Sequence, residues 1–338
     1  MINFADNGVS QQLPVALDAM GGDYAPSEIV KGALVAHEQY GIPIILTGMA
    51  DAIGDTGDIP VVDCSEVIGM DDDPATSVRR KKDSSLVRAA ELVRDGRASA
   101  MVSAGNTGAT MASALFRMGR VKGISRPAIA TPIPNSTDIP TVFLDSGANV
   151  DCPASMLVQF ATMGAVFSKA RYGLDNPRVA ILSNGEESTK GNADVKEAHK
   201  LLADLVTPEF TFIGNVEGRD LMQGVADVVV TDGFTGNVAL KALEGSLKFF
   251  VDALMGAIGH DESTRAAGKV LFEQLSPTIE KLDPDNVGGA MLLGVDGICL
   301  ISHGSSSSKA IVSALRVAND LVKSDLQEHL RAAVQSVG

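Results

Sequence analysis

The run Ala98-Ser-Ala-Met-Val102, followed at once by Ser103-Ala-Gly-Asn-Thr-Gly-Ala109, decides how this chain is read. The first part is apolar and short, as a buried strand is. After it, Thr110 to Met118 has helical spacing with small residues on one side. Between strand and helix, Gly105 and Gly108 let the backbone turn sharply and aim several N–H groups at one point. The amino end of a helix adds partial positive charge there, which makes the junction a natural seat for an anion. A plain strand-to-helix turn has the same look, so the weight lies on the rest of the chain.

The same alternation recurs on both sides of this junction. Strands are expected at Pro14–Asp18, Ile42–Thr47, Val61–Val62, Val142–Leu144, Arg178–Leu182, Phe210–Ile213, Asp227–Thr231, Ala290–Leu293 and Ile298–Ser302. The Gly- and Pro-rich Gly119–Pro140 has room for one or two more. Helices are expected after Ser27 as cap, from Asp73-Pro74 as one long pattern to about Asp95, and over Pro153–Arg171 and Ala193–Val206. Two long patterns, Val238–Ile258 and Thr264–Lys281, follow, and Ser306 to about Leu330 closes the chain as a helix. Apolar strands alternating with helices imply an α/β fold: a mostly parallel sheet in a three-layer α/β/α arrangement. No repeat or linker divides residues 1–338, which read as one unit. Gly, Asn and Asp residues follow the strands at Asp18–Asp23, Ser103–Gly108, Asp145–Asn149, Ser183–Asn192, Gly214–Gly218, Asp232–Asn237 and His303–Ser306. All are expected on one sheet edge, around one site.

Composition narrows the chemistry. In 338 residues there are 28 basic and 42 acidic side chains, a net charge of −14, with 4% aromatics and no Trp. Nucleic acid wants a basic footprint and stacking rings, so it is not the expected partner. Cys64, Cys152 and Cys299 are isolated, which argues against disulfides or zinc and for a reducing cytoplasm. Met1–Pro14 has no signal-peptide pattern, and no stretch approaches a spanning helix. The Gly-x-Ser-x-Gly elbow, the P-loop and the dinucleotide Gly-x-Gly-x-x-Gly are all missing, and the histidines lack metal spacing. What remains is backbone amides, Asn and Ser side chains and a few cations. These suit a compact anion such as phosphate and the charge of a transition state.

Two stretches bear on partners. Arg79-Arg80-Lys81-Lys82 is expected in or near the first turns of a helix, where positive charge opposes the dipole. Such a local cost suggests a docking patch for an acidic protein; a solvated charged face is the alternative. In the second stretch, Leu247, Phe250, Val251, Leu254 and Ile258 share one helical face, while Phe249 and Met255 add apolar surface elsewhere. That surplus fits either a dimer contact or a membrane interface.

Several segments, taken together, resemble one family. They are Asp18-Ala-Met-Gly-Gly-Asp23, Arg79-Arg-Lys-Lys-Asp-Ser-Ser85, Ser103–Ala109, Leu144-Asp-Ser-Gly-Ala-Asn149, Gly214-Asn-Val-Glu-Gly218, Thr231–Val238, Gly288-Gly-Ala290 and His303–Ser306. They are similar to the bacterial acyl-acyl-carrier-protein:phosphate acyltransferases (PlsX), in order, from about Val15 to the last helix. The resemblance implies a homodimeric α/β/α fold similar to isocitrate and isopropylmalate dehydrogenases and to phosphotransacetylases. It implies conversion of an acyl-carrier-protein thioester and inorganic phosphate to acyl phosphate and free carrier protein, with no cofactor and no metal. The product would pass to a membrane glycerol-3-phosphate acyltransferase at the start of phospholipid synthesis. A protruding helical hairpin over residues 240–283, with Phe249, Phe250, Leu254, Met255 and Ile258, fits a dimer or membrane contact. The protein would then be cytoplasmic, or peripheral at the inner face of the cell membrane.

Roles follow for particular residues. Ser103, Gly105, Asn106, Thr107, Gly108, Gly304, Ser305 and Ser306 are expected to cradle phosphate or acyl phosphate. Lys190 is the expected essential cation; the family pattern ends in the same Lys-Gly-Asn, although Ser183 stands where the family usually has Asn. Asn237 is the candidate oxyanion donor, with a helix N-cap as the other reading. His303 is the candidate acid for the leaving thiolate, with a structural hydrogen bond as the other reading. Arg79 to Lys82 would dock the carrier protein. The alternatives to this enzyme are a phosphotransacetylase-like enzyme using acyl-coenzyme A and a non-catalytic carrier-protein binding module.

Overall fold

The computed structural model describes residues 12–258, 262–282 and 284–337. The elements, in order, are β1 (Val15–Asp18), α1 (Ser27–Tyr40), β2 (Ile44–Gly48), α2 (Ala50–Ile53), β3 (Val61–Asp63), α3 (Pro74–Arg80), α4 (Ser85–Arg94), β4 (Ala100–Ser103) and α5 (Thr107–Arg117). Next come β5 (Ala128–Ile133), β6 (Thr141–Leu144), α6 (Ala154–Tyr172), β7 (Arg178–Leu182), α7 (Ala193–Asp204), β8 (Thr211–Val216) and β9 (Val228–Val230). The chain ends with α8 (Gly233–Ile258), α9 (Glu262–Leu282), α10 (Pro284–Val287), β10 (Ala290–Leu293), β11 (Ile298–Ile301), α11 (Ser308–Lys323) and α12 (Leu326–Val337). The expected strands are present with ends within a residue or two, except that β8 runs three residues past the expected Ile213, to Val216. The signal-peptide reading of Met1–Pro14 falls almost wholly outside the described residues, as does Asp283 at the end of the hairpin.

The strands form one sheet in the order β3-β2-β1-β4-β11-β10-β5-β6-β9-β7-β8. Strands are short and apolar because both faces are covered. One face packs on α1, α6, α7, α11 and α12, with Phe160, Phe167 and Leu17 fully buried. On the other face, α4 and α5 cover Ala16, Met101 and Cys299, while the start of α8 covers Phe143 and Val229. Burying a phenylalanine such as Phe143 is worth roughly 1.5–3 kcal/mol.

The expected single edge of loops does not form. In the middle of the sheet β11–β10, β10–β5 and β5–β6 pair antiparallel. Strands β1, β4 and β11 therefore point one way, and β6, β9 and β7 the other. The loops after Asp18, Ser103 and Ile301 lie at one edge, and those after Leu144, Leu182, Val216 and Val230 at the opposite edge. The reversal is made by the turn between Ile133 and Thr141. There Asn135 donates to the carbonyl of Ile139 (2.9 Å) and to Thr141 Oγ1 (3.0 Å), and accepts from Thr137 N–H (2.8 Å).

Three helix readings also change. The pattern after Asp73 breaks into α3 and α4, because Asp83 is pinned to Ser65 (2.7 Å) and its N–H donates to Glu66 (3.0 Å). Arg79 and Arg80 thus sit in the last turn of α3, with Lys81 as its C-cap, where positive charge favours the dipole rather than opposing it. Ser27 is the first residue of α1 rather than its cap, which is Pro26. The closing helix divides at Asp325, whose φ of 52° is left-handed.

Candidate active site

Three parallel neighbours, β1, β4 and β11, end side by side, and their loops are woven together. Ser302 N–H donates to the carbonyl of Ser103 (2.8 Å), and Asp23 N–H to that of Gly304 (2.7 Å). Only glycine fits at two positions here. A Cβ on Gly21 would lie 2.6 Å from Asp18 Oδ2 and 2.7 Å from Gly105 N, and Gly22 has φ of 110°. Beneath them Asp18, 2% exposed, accepts from Ser103 Oγ (2.7 Å) and from Met20 N–H (3.2 Å). Burial pushes its carboxyl above the usual range, against hydrogen bonds that pull it down. Ser103 Oγ in turn accepts from Gly105 N–H (3.1 Å).

The expected phosphate-binding residues therefore divide into frame and seat. Ser103 and Gly105 spend their polar groups on each other and on Asp18. Asn106 caps α5: its Oδ1 accepts from Ala109 N–H (3.0 Å), while its Nδ2 donates to the carbonyls of Met70 (2.7 Å) and Asp72 (3.2 Å). Ser306 is buried and bonded to the carbonyl of His303 (2.6 Å) and to Ser302 (2.8 Å). Gly304 gives its carbonyl to Asp23, and a Cβ there would meet the end of the Met70 side chain. What is left for a ligand is the first turn of α5, where the Thr107 and Gly108 amides have no acceptor within the helix. Beside it stand the exposed Thr107, Ser305 and His303.

Of the two long helices whose amino ends reach this edge after β4 and β11, only α5 is open. Ser307 caps α11, accepting from Ala310 N–H (3.3 Å) while its hydroxyl donates to Asp285 Oδ2, and Ser308 N–H donates to Glu28 Oε2 (2.8 Å). Those bonds from Ser308 lower the Glu28 pKa, so this carboxylate already serves as the anion for α11. Sequence reasoning missed Glu28; its partner lies 280 residues away, beyond the reach of any local pattern.

His303 has a defined tautomer. Ser305 N–H donates to its Nδ1 (3.2 Å), and Ser305 Oγ lies 2.7 Å from the same nitrogen. The neutral ring therefore carries its proton on Nε2, which has no partner among the described residues. All three thiols are buried, which pushes Cys64, Cys152 and Cys299 up to about 12 and withdraws them as thiolate nucleophiles.

Asn237 and Lys190 belong to the other edge. Buried Asp145 accepts from the N–H groups of Ile129 (3.0 Å), Gly147 (3.2 Å), Ala148 (3.0 Å) and Asn149 (2.7 Å), and from Asn149 Nδ2 (2.9 Å). Burial still holds its pKa above the usual value. The start of α8 docks on this loop, with Gly233 N–H donating to the Asn149 carbonyl (2.7 Å). Asp232 is the residue that caps α8, accepting from Thr235 N–H (2.8 Å) and Thr235 Oγ1 (2.8 Å). Asn237 is inside the helix and not its cap; its side chain is exposed and packs on Gly147. Lys190 is exposed in the loop after β7. Between β7 and β4 lie six strand spacings, or about 29 Å at ~4.8 Å each. Within one chain Lys190 and the His303 edge do not form one site.

The basic stretch adjoins the seat. Pro74 packs on Gly108 and Met70 on Gly304. Arg80 and Lys82 are exposed, Arg79 lies over the Phe116 ring (5.3 Å), and Lys81 is tied to Asp72 (2.6 Å) and to the Val67 carbonyl (2.8 Å). The α8–α9 hairpin leaves much apolar surface open: Phe249 is 75% and Phe250 65% exposed, and Met255 is exposed too, while Leu254 and Ile258 are half-buried. No helix among the described residues is long and apolar enough to cross a membrane. No cluster of three or more His, Cys, Asp or Glu among them could hold a metal ion.

The fold is shared with solved acyl-transfer enzymes. A phosphotransacetylase from Streptococcus pyogenes superposes with a TM-score of 0.62 at 18% identity, over 93% of this chain and 95% of that one. A branched-chain phosphotransacylase from Enterococcus faecalis V583 gives 0.58 at 17% identity, over 92% and 99%. Sequence makes the assignment narrower: the chain belongs to the fatty acid synthesis protein family, which it matches over residues 13–329. It is 48% identical to a phosphate acyltransferase of Pelotomaculum thermopropionicum, over 96% of each chain. It is 45% identical to another from Dictyoglomus turgidum, over 96% of this chain and 98% of that one. Like these relatives it is an acyltransferase.

Proposed function

We propose that the enzyme transfers the fatty acyl group of an acyl-acyl-carrier-protein to inorganic phosphate, for phospholipid synthesis. The observation that carries this reading is the open amino end of α5 beside a histidine whose free nitrogen holds a proton, with no thiolate available among the described residues. The nucleophile is then the bound phosphate itself. Its oxygen, held by the Thr107 and Gly108 amides, attacks the thioester carbonyl carbon, and the C–S bond breaks. The thiolate takes the proton of His303 Nε2, which the proton lost by hydrogen phosphate replaces, giving free carrier protein and acyl phosphate and returning the ring to its starting state.

Lys190 and Asn237 lie on the far edge, so their expected roles as cation and oxyanion donor require a second copy. In the homodimer, Lys190 and Asn237 of one chain complete the seat of the other. The exposed apolar side of α8 supports such a dimer over direct lipid contact: Lys248, the one basic residue between Leu247 and Ile258, is already paired with Asp252 (2.9 Å). Arg79, Arg80 and Lys82, next to the seat, would receive the acidic carrier protein.

The test is thiol release from a long-chain acyl-carrier-protein with and without phosphate, with the product identified by mass. Release that needs phosphate and yields acyl phosphate supports the reading. Turnover only with acyl-coenzyme A makes the enzyme a phosphotransacetylase in activity as well as fold. Carrier-protein binding with no release leaves a non-catalytic binding module.

A further inference from the structure

The loop that carries Lys190 is held by one buried amide. Asn215 sits in β8 and is only 7% exposed. Its Nδ2 donates to the Glu187 carbonyl at 2.8 Å, and the same carbonyl accepts from Lys190 N–H at 2.9 Å. One oxygen atom thus joins Asn215 to the backbone of Lys190. A carbonyl only accepts, so this bond fixes which way the amide faces. Asn215 Oδ1 must then accept from His199 Nδ1, 3.0 Å away, and His199 is seated edge-on against Phe212 (5.2 Å between ring centroids). The loop is closed again at its ends, where Asn184 Oδ1 accepts from Gly191 N–H (2.8 Å) and Asn192 Oδ1 from Val195 N–H (2.9 Å). Gly185 supplies the space: a Cβ there would lie 2.7 Å from Lys190 Cγ. All this order serves an exposed segment whose ammonium group has no partner among the described residues.

We infer that Asn215 is a positioning residue, oriented by His199, which holds the 183–192 loop so that Lys190 meets the reacting groups in a fixed place. The inference rests on the proposed role of Lys190 in acyl transfer. A loop tied through one buried side chain loses its arrangement when that donor goes, because the Glu187 carbonyl is left with a single bond and the β8 side with a gap.

The experiment is a double-mutant cycle on phosphate-dependent thiol release, using the full chain. Asn215→Ala is expected to lower kcat by ~10-fold with a smaller change in KM for the acyl donor, since it removes the buried bond to the Glu187 carbonyl together with the one from His199. In the Lys190→Ala background the same substitution is expected to cost less than about 2-fold, since it acts only through Lys190. Hydrogen exchange adds a second readout: residues 184–192 should exchange faster in Asn215→Ala, with the rest of the sheet unchanged. Equal costs of Asn215→Ala in both backgrounds would overturn the inference, as would unchanged exchange in 184–192. Lys190→Ala at the wild-type rate would also overturn it, while leaving the acyl-transfer reaction to stand on its own phosphate dependence.

Discussion

Gly236 and Gly245 lie in the same helix, α8, and the same substitution at each should have opposite effects. A Cβ on Gly236 would fall 1.9 Å from the carbonyl oxygen of Asp145. Ordinary contact begins near 3.4 Å, so one backbone must move by about 1.5 Å. The Asp145 side cannot easily give, because its carboxylate gathers bonds from Ile129, Gly147, Ala148 and Asn149. Overpacking usually costs about 1–3 kcal/mol, and a backbone obstacle puts Gly236→Ala at the upper end. At Gly245 nothing lies within 4 Å of the added carbon. There the helix gains roughly 0.5–1 kcal/mol, because alanine loses less freedom than glycine on folding. The two alanine variants should therefore differ by about 3–4 kcal/mol, or on the order of 4–6 °C in unfolding midpoint for a chain of this size. Thermal unfolding of both variants in one buffer reads this directly. Gly236→Ala should also lose most activity, since α8 would lift Asn237 from Gly147. A Gly236→Ala protein as stable as Gly245→Ala would refute the docking of α8 on the Asp145 loop.

Three further outcomes are expected. Asp73 caps α3 through Thr76, and that bond lowers its pKa; its stabilisation is present above the ordinary aspartate value of 3.8 and is lost as pH falls through the depressed folded value. The difference in unfolding midpoint between wild type and Asp73→Ala should accordingly be largest near neutral pH and vanish in strong acid. Arg80→Glu and Lys82→Glu should weaken carrier-protein affinity several-fold with little change in unfolding midpoint, whereas Lys81→Met should destabilise the fold by breaking its bonds to Asp72 and Val67. Equimolar mixing of refolded Lys190→Ala and His303→Ala chains should restore about a quarter of wild-type activity, since half the dimers are mixed and each has one complete seat; no recovery would mean that Lys190 does not serve the neighbouring chain.

The strands were legible because a buried strand leaves a short apolar run between turn residues, whatever its neighbours are. Their directions were not. The reversal rests on Asn135 and Thr137 in a Pro-rich turn, and such a turn looks like any loop until its side-chain bonds are seen. This is why the loops of Asp145, Ser183 and Asp232 appeared to share an edge with those of Asp18, Ser103 and His303. The same blindness to partners hid the division of the site. Ser103, Asn106 and Ser306 have the chemistry of phosphate ligands, but Asp18, Met70 and Ser302 claim their polar groups. Arg79 to Lys82 stood out as basic, and only the bonds of Asp83 to Ser65 and Glu66 show that they close one helix rather than open another.

The central claim is that bound phosphate, and no side chain of the protein, attacks the thioester. Ser305, 2.7 Å from His303 Nδ1, is the side chain that most invites the opposite view. The decisive measurement incubates the enzyme with acyl-acyl-carrier-protein in phosphate-free buffer, quenches, and weighs the intact protein while counting released thiol; oxygen-labelled phosphate is then added. The account predicts no thiol and no added mass before phosphate, and afterwards labelled acyl phosphate equal in amount to the thiol. Thiol released without phosphate, together with an acyl group on Ser305, would contradict it.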